Sequence, residues 1–489
     1  MKKITRRSGL SIMRSLIVLI KPLTGVMLLG IFLGVIGFLC AIFLTVTGGY
    51  GILYGLYTLL HNSFTSAPNL SGKIFISLIV MAVARGILHY GEQYCNHYIA
   101  FRILAIIRHK VFAVLRKLCP AKLEGKEKGN LIAIITSDIE LLEVFFAHTI
   151  SPIAIAFITS LIMVIFIWYQ HPIAGIISLL AYITVGIALP LWNGSRSADA
   201  GMNFRNNVGE LNNFVINSMY GVDEILQYNQ GEVRLNEMDS KSLELSDNQR
   251  KLSFFEGSQR AATNIVIQLF SWLMFFYMLM LYKNESIGFS QMLIATLAMM
   301  SSFGPTVALS SLSNNLNQTL ACGERVLSLL EEEPTVEEVS DKEATSFEGA
   351  DVDNVNFSYA EEIILDNVSL DIKKGKVLGI HGVSGSGKST LLKLLMRFWD
   401  VNTGEIHISG KNIKNVNTED LRKMIGYVTQ ETVIFQGTIA DNIRVSKQDA
   451  SLEEIYNAAK KASIHDFISS LPNGYDTNVG ELGDSLSDG

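Results

Sequence analysis

Six long apolar stretches constrain this chain more than any other feature. They run over about 23–46 (with further apolar residues as far as Leu60), 74–94, 144–168, 173–192, 261–282 and 288–309. Each is close to the ~20 residues that an α-helix needs to cross a hydrocarbon core ~30 Å thick. Inside hydrocarbon every backbone N–H and C=O must be satisfied within the protein, so these stretches are predicted to be transmembrane helices. The 489 residues are 49% hydrophobic with a mean hydropathy of +0.30, and the excess lies in the first two-thirds.

Charge orients the spans. Lys2, Lys3, Arg6, Arg7 and Arg14 open the chain, and the first acidic residue is Glu92. The first apolar stretch outruns the core of a secretory signal, so it reads as an uncleaved anchor with a cytoplasmic N-terminus. Short links at 61–73, 170–172 and 283–287 alternate with two long polar segments of helical character. Arg102, Arg108, Lys110, Arg116, Lys117, Lys122, Lys126 and Lys128 lie in one long segment, and Arg234, Lys241, Arg250 and Lys251 in the other. Both are therefore expected on the cytoplasmic side. A net charge of -6 speaks against nucleic acid as a partner. The cysteines, Cys40, Cys95, Cys119 and Cys322, form no CxxC and read as reduced thiols.

The pattern changes after the last span. Residues 1–328 read as the transmembrane domain, 329–346 as an acidic linker and 347–489 as a soluble domain. Within the last, Gly382-Val383-Ser384-Gly385-Ser386-Gly387-Lys388-Ser389-Thr390 fits G-x-x-x-x-G-K-[ST]. The strand-like run Lys376–Ile380 precedes it and the helix-like run Leu391–Met396 follows. In such a loop the glycines turn backbone N–H groups around phosphate oxygens, and the helix N-terminus adds a positive dipole end. Lys388 reaches the β- and γ-phosphates and Ser389 holds Mg²⁺.

The neighbouring motifs resemble those of the ATP-binding-cassette (ABC) exporters. Tyr359, in Phe357-Ser358-Tyr359, matches the family's adenine-stacking aromatic; its other reading is a core aromatic on a strand. Gly426-Tyr427-Val428-Thr429-Gln430 resembles the strand into the Q-loop, so Gln430 is expected at Mg²⁺ or the attacking water. Phe435, Gly437–Arg444 and Leu471–Thr477 continue the match, and Leu486-Ser487-Asp488-Gly489 matches the signature. Ser487 and Gly489 would then cap the γ-phosphate held by a second chain. Asp488 departs from the family's usual glycine. No Walker B aspartate, catalytic glutamate or switch histidine follows, so the chain is expected to be a fragment of a longer reading frame, binding ATP but hydrolysing it poorly. The fold class implied is an α-helical six-span transmembrane domain of the type IV ABC exporter kind. An α/β P-loop NTPase domain, incomplete at its C-terminus, follows it.

A narrower resemblance covers spans one to three. Arg85-Gly86-Ile87-Leu88-His89-Tyr90-Gly91-Glu92, His97 and Phe101–Ala105 resemble the CydC subunit of the CydDC thiol exporters. So do Pro120, Gly129-Asn130-Leu131, Thr136–Ile139 and Thr47–Tyr50. This implies export of cysteine or glutathione for cytochrome bd assembly, a CydD-like partner or a homodimer, and a bacterial inner membrane. It also implies haem, with His89 and His97 as candidate ligands. The family's coupling helices would fall near 121–130 and 210–220. Arg85, His89 and Glu92 share one helical face, at i, i+4 and i+7. Arg85 would hold a substrate carboxylate with Glu92 nearby, or the two would form a packing ion pair. Two alternatives stay open: a lipid, peptide or drug exporter, and a non-hydrolysing regulatory half of a heterodimer.

Overall fold

The computed structural model describes residues 7–60, 68–121, 128–310, 313–359, 362–429 and 433–479. The chain divides into two compact units, Met1–Pro334 and Thr335–Gly489.

The first unit is helical. A short helix α1 (Gly9–Leu19), capped by the Ser8 hydroxyl accepting from the Ser11 N–H at 3.3 Å, precedes α2 (Thr24–Leu60) and α3 (Pro68–Leu118). The third span is built from α4 (Lys128–Ala133), α5 (Ile139–Phe145) and α6 (Ser151–Gln170), joined by π-helical turns at Ile134–Asp138 and Phe146–Ile150. His171, in extended conformation, and Pro172 break the chain before α7 (Pro172–Ile183). A third π-helical segment, Thr184–Ala188, leads into α8 (Leu189–Tyr220). Then come α9 (Val222–Gln227), α10 (Gly231–Lys283), α11 (Phe289–Ser301), α12 (Gly304–Ser310) and α13 (Ser313–Leu330).

Six stretches among the described residues are long and apolar enough to cross a membrane: Lys21–Leu59, Gly72–Leu118, Leu131–Gln170, Pro172–Trp192, Gly231–Lys283 and Phe289–Leu309. Helix α10, with 53 residues, is ~80 Å long at 1.5 Å per residue, far more than a bilayer core needs. Its excess is the polar, N-terminal half. The stretch 210–220, expected at a turn, is instead the end of α8. The reversal falls at 221–230, where Gly221 ends α8, Asn229 adopts a left-handed backbone and α9 forms the tip. Only part of 121–130 is described.

Two apolar cores hold this unit. One joins Ile12 and Leu16 of α1, Ile103 and Ile107 of α3, Leu142 and Phe145 of α5 and Val326 of α13. The other joins Ile42 of α2, Met163 of α6, Ala181 of α7, Met274 of α10 and Met299 of α11. No residue of the apolar window of α3 is buried within the chain, so bilayer or a second chain must cover it.

The second unit carries a four-stranded antiparallel sheet in the order β2-β1-β3-β4: β1 (Gly349–Ser358), β2 (Ile363–Lys373), β3 (Thr403–Ile408) and β4 (Lys411–Asn412). Val352, Val355 and Phe357 of β1 and Ile406 and Ile408 of β3 pack against Leu391 and Leu394 of α14 (Lys388–Leu395). Helix α15 (Thr418–Met424) follows the sheet. It anchors part of the acidic stretch: the N–H groups of Val339, Lys342 and Thr345 donate to Thr418 Oγ1, Asn417 Oδ1 and Asp420 Oδ2 at 3.0, 2.9 and 3.1 Å. A smaller lobe contains β5 (Gly437–Thr438), α16 (Ile439–Arg444), α17 (Leu452–Lys461), α18 (His465–Ser470) and β6 (Asn478–Val479).

Gly404 is a stress point of the sheet. Its φ is +81°, and a Cβ there would stand 2.4 and 2.5 Å from the carbonyl oxygens of Asn354 and Asp353. Gly404→Ala is expected to destabilise the second unit by about 3 kcal/mol, from left-handed strain plus overpacking against backbone. Calorimetry of the full chain should show that unit's transition moving down while the other holds.

Candidate functional site

The turn Gly382–Gly387 sits directly before α14. Gly385 and Gly387 have φ of +84° and +83°, conformations that glycine adopts without steric cost. A Cβ at Gly387 would meet Leu365 Cδ2 at 2.7 Å and the Ile364 carbonyl at 3.1 Å, so β2 closes the loop from behind. Leu391 and Leu394, buried against the sheet, fix the axis of α14 and hence the direction of its N-terminal N–H groups. Gly382, Ser384, Gly385, Ser386 and Ser389 are exposed, while Gly387 and Lys388 are half-buried and Thr390 is buried.

The Lys388 ammonium donates to the carbonyls of Gly382 and Val383 at 3.0 and 2.7 Å and to Ser386 Oγ at 3.4 Å. These three contacts use its full set of donors. The loop thus already folds around a cation, with its glycines turned and its hydroxyls open, and the residues fit a bound polyphosphate with Mg²⁺. Tyr359 stands beside it. Its hydroxyl donates to Thr390 Oγ1 at 3.5 Å, and its ring meets Trp399 and Phe357 edge-on at 5.1 and 4.9 Å. Trp399 carries no motif of its own in the sequence; its position in the aromatic group emerges only from the fold.

Two expectations are corrected. Lys376–Ile380 and Gly426–Thr429 were expected as strands, and neither forms one. Val377 is fully exposed and Val428 is 90% exposed. A strand exists by ladder pairing, and neither run pairs among the described residues. Gln430, Ser487, Asp488 and Gly489 lie outside the described residues.

In the membrane unit the expected face separates. Arg85 is exposed and makes no hydrogen bond or ion pair among the described residues. Glu92 is buried and pairs with His89 Nδ1 at 3.2 Å, so the Arg85–Glu92 ion pair does not form. The haem implied by resemblance finds no support: His89 engages Glu92, and the His97 ring lies 5.8 Å from His148 and 6.2 Å from Phe101.

Sequence reasoning missed a polar cluster that ties α13 to the third span. Arg325 Nη2 donates to Asp138 Oδ1 at 2.5 Å and to Cys322 Sγ at 3.6 Å. Asp138 closes a π-helical turn, and nothing in the sequence separates it from Glu140 and Glu143, which follow within five residues. Nearby, Arg7 pairs with Glu331 and lies 3.8 Å from Glu324. Burial pushes the Cys322 thiol up from 9.0 to about 11; the charge and hydrogen bond of Asp138 add to this and Arg325 opposes it. The folded state therefore holds a proton that the unfolded chain releases. The stability it contributes is full below pH 9.0 and is lost as pH rises toward about 11. Alkylation of Cys322 at neutral pH is expected to be slow in the native protein and fast after denaturation, read by mass spectrometry.

Residues 27–306 match the family described as the ABC transporter transmembrane region, and residues 365–489 match ABC transporter. A probable ABC transporter ATP-binding/permease protein of Haemophilus influenzae is 47% identical over 485 residues, covering 99% of this chain and 87% of that protein. An ATP-dependent lipid A-core flippase of Syntrophus aciditrophicus is 27% identical over 428 residues, 85% of this chain and 69% of that protein. A putative multidrug export ATP-binding/permease protein of Bacillus subtilis is 27% identical over 418 residues, with 85% and 72% covered. Among solved structures, a bacterial Atm1-family ABC exporter with ATP bound is similar with a TM-score of 0.78 at 21% identity, covering 96% of this chain and 82% of that one.

Proposed function

Since this chain belongs to the ABC transporter family, with an ABC membrane domain and an ABC ATPase domain on one polypeptide, we propose that it exports an amphipathic, partly apolar molecule. It is a multi-pass membrane protein, and a bacterial inner membrane fits its relatives. The observation that carries the cargo reading is a groove of about 610 Å³ between the third, fourth and sixth spans. Its lining includes Phe157, Leu161, Ile183, Ile187 and Leu309, with Ser160 among its few polar side chains. Such a groove suits hydrocarbon and offers no charge to a small zwitterion. The relatives named as a lipid A-core flippase and a multidrug exporter agree with apolar cargo.

ATP with Mg²⁺, when bound, supplies the free energy for the cycle. In this reading Lys388 leaves its own carbonyls for the β- and γ-phosphates, and the N–H groups at the start of α14 line the phosphate chain. Ser389 takes Mg²⁺ with Gln430, and Tyr359 offers its ring to adenine. Ser487 and Gly489 serve the nucleotide on a second chain, so the working unit is a pair, homodimeric or with a CydD-like half.

A second reading, export of cysteine or glutathione, has one observation in its favour: Arg85 is exposed without a counter-ion among the described residues, open to a carboxylate. ATPase stimulation in proteoliposomes separates the two. An amphiphile such as a lysophospholipid is expected to stimulate the wild type, and Ser160→Trp, which fills the groove, to abolish the stimulation while leaving basal turnover alone. Stimulation by glutathione that survives Ser160→Trp and disappears in Arg85→Gln would move the conclusion to the thiol reading.

A further inference from the structure

Tyr359 is held at both ends by the segment that carries the phosphate-loop lysine. Its hydroxyl reaches Thr390 Oγ1, in the first turn of α14, at 3.5 Å. Its ring meets Trp399, just past the end of that helix, with centroids 5.1 Å apart and planes at 81°. Phe357 closes the group edge-on, 4.9 Å from Tyr359 and 6.2 Å from Trp399. Aromatic pairs favour this edge-to-face arrangement, so each contact constrains the plane of the Tyr359 ring. The two neighbours differ in kind. Phe357 belongs to the sheet core, 3% exposed and opposite Leu365 of β2. Trp399 lies in the connection between α14 and β3, where no ladder fixes it.

The turn itself fixes Trp399. Arg397 adopts a left-handed backbone, φ +51°, at a position where helices usually place glycine. The Phe398 N–H donates to the Lys393 carbonyl at 3.0 Å and the Arg397 N–H to the Leu394 carbonyl at 2.9 Å, the paired bonds of a Schellman ending. A non-glycine residue in that conformation is strained and persists only where its surroundings determine it. Here the buried Arg397 side chain donates through Nε to Asp400 Oδ1 at 3.2 Å, so its two partners bracket Trp399 in the chain. Beyond it, Asn402 Oδ1 accepts from the Ser358 N–H at 2.8 Å, and the Asn402 N–H donates to the Asn356 carbonyl at 3.1 Å. The end of β1, which leads into Tyr359, and the connection that carries Trp399 are thereby tied in register.

Stacking on a base needs a flat ring held in one plane with part of it open, and Tyr359 is 36% exposed. We propose, resting on the reading of Tyr359 as the base-stacking residue, that Trp399 is a positioning residue for the nucleotide. It holds the Tyr359 ring in the plane on which a purine stacks. It acts through Tyr359 and not on the phosphates, which fall to Lys388 and the start of α14. Stacking is blind to the hydrogen-bonding edge of the base, so ATP and GTP should depend on Trp399 alike. Trp399→Ala loosens the ring without removing it. It is expected to weaken nucleotide binding about threefold to tenfold, part of what losing a base stack costs.

The test is titration calorimetry of the full chain, assembled with its partner in lipid nanodiscs, with Mg²⁺ and ATP, GTP or inorganic tripolyphosphate. Trp399→Ala should weaken ATP and GTP alike and leave tripolyphosphate unchanged, and Trp399→Phe, which keeps a ring at the contact, should restore most of the loss. In a Tyr359→Ala background, Trp399→Ala should cost nothing further, because the residue through which it acts is gone. Tripolyphosphate weakened together with ATP overturns the proposal, since Trp399 would then support the phosphate loop or the fold. A full additional loss in the Tyr359→Ala background overturns it too. Weaker ATP binding in Tyr359→Ala with none in Trp399→Ala removes Trp399 alone. Wild-type ATP affinity in Tyr359→Ala removes the base-stacking reading, and the proposal with it.

Discussion

Lys388→Ala is expected to weaken ATP binding on the order of tenfold to a hundredfold while leaving the fold in place. A hydrogen bond to a charged group contributes about 1.5–3 kcal/mol, and about 1.4 kcal/mol is a factor of ten in affinity. In the free loop the ammonium bridges two carbonyls and one hydroxyl of a mostly exposed turn. Losing those contacts exposes carbonyls to water, which satisfies them, so the melting temperature should move little. Losing the cation from a loop that must hold a polyphosphate has no such substitute. Titration with a fluorescent ATP analogue, with calorimetry alongside, checks both halves. Unchanged affinity would remove Lys388 from the site; lost affinity with a collapsed transition would make it structural.

The second large effect lies in the membrane unit. Arg325→Met leaves Asp138, 3% exposed, without its cation, and the other carboxylate oxygen already has no partner among the described residues. Breaking a fully buried ion pair costs about 3–5 kcal/mol. The Arg325 side chain is 52% exposed, so some water reaches the site and about 2–3 kcal/mol is expected. The double variant Asp138→Asn with Arg325→Met should recover much of that loss, because no uncompensated charge remains. Thermal denaturation in detergent of the two single variants and the double one reads the coupling. A double variant as unstable as the sum of the singles would show that the two side chains act independently.

The spans were legible because length and apolarity alone determine which segments cross a bilayer. The phosphate loop was legible because glycines at positive φ and the lysine at the start of a helix leave a spacing that chance rarely copies. What spacing does not show is who sits opposite. Arg85 and Glu92 fall on one helical face, yet the Glu92 carboxyl is buried where Gly34 of the neighbouring helix leaves room for it, while Arg85 stays exposed. Arg325 and Asp138 are 187 residues apart, so only the packing of α13 on the third span joins them. The run Lys376–Ile380 has strand composition, but composition supplies no ladder partner. The π-helical turns at Ile134–Asp138, Phe146–Ile150 and Thr184–Ala188 left no signature in the apolar pattern.

The most direct test of the central claim is transport itself. The protein, reconstituted with its partner in proteoliposomes, would be given a fluorescent short-chain phospholipid and glutathione side by side. Movement of the lipid that requires ATP, disappears in Lys388→Ala and falls sharply in Ser160→Trp is the predicted result. ATP-dependent movement of glutathione with the lipid left in place would contradict it.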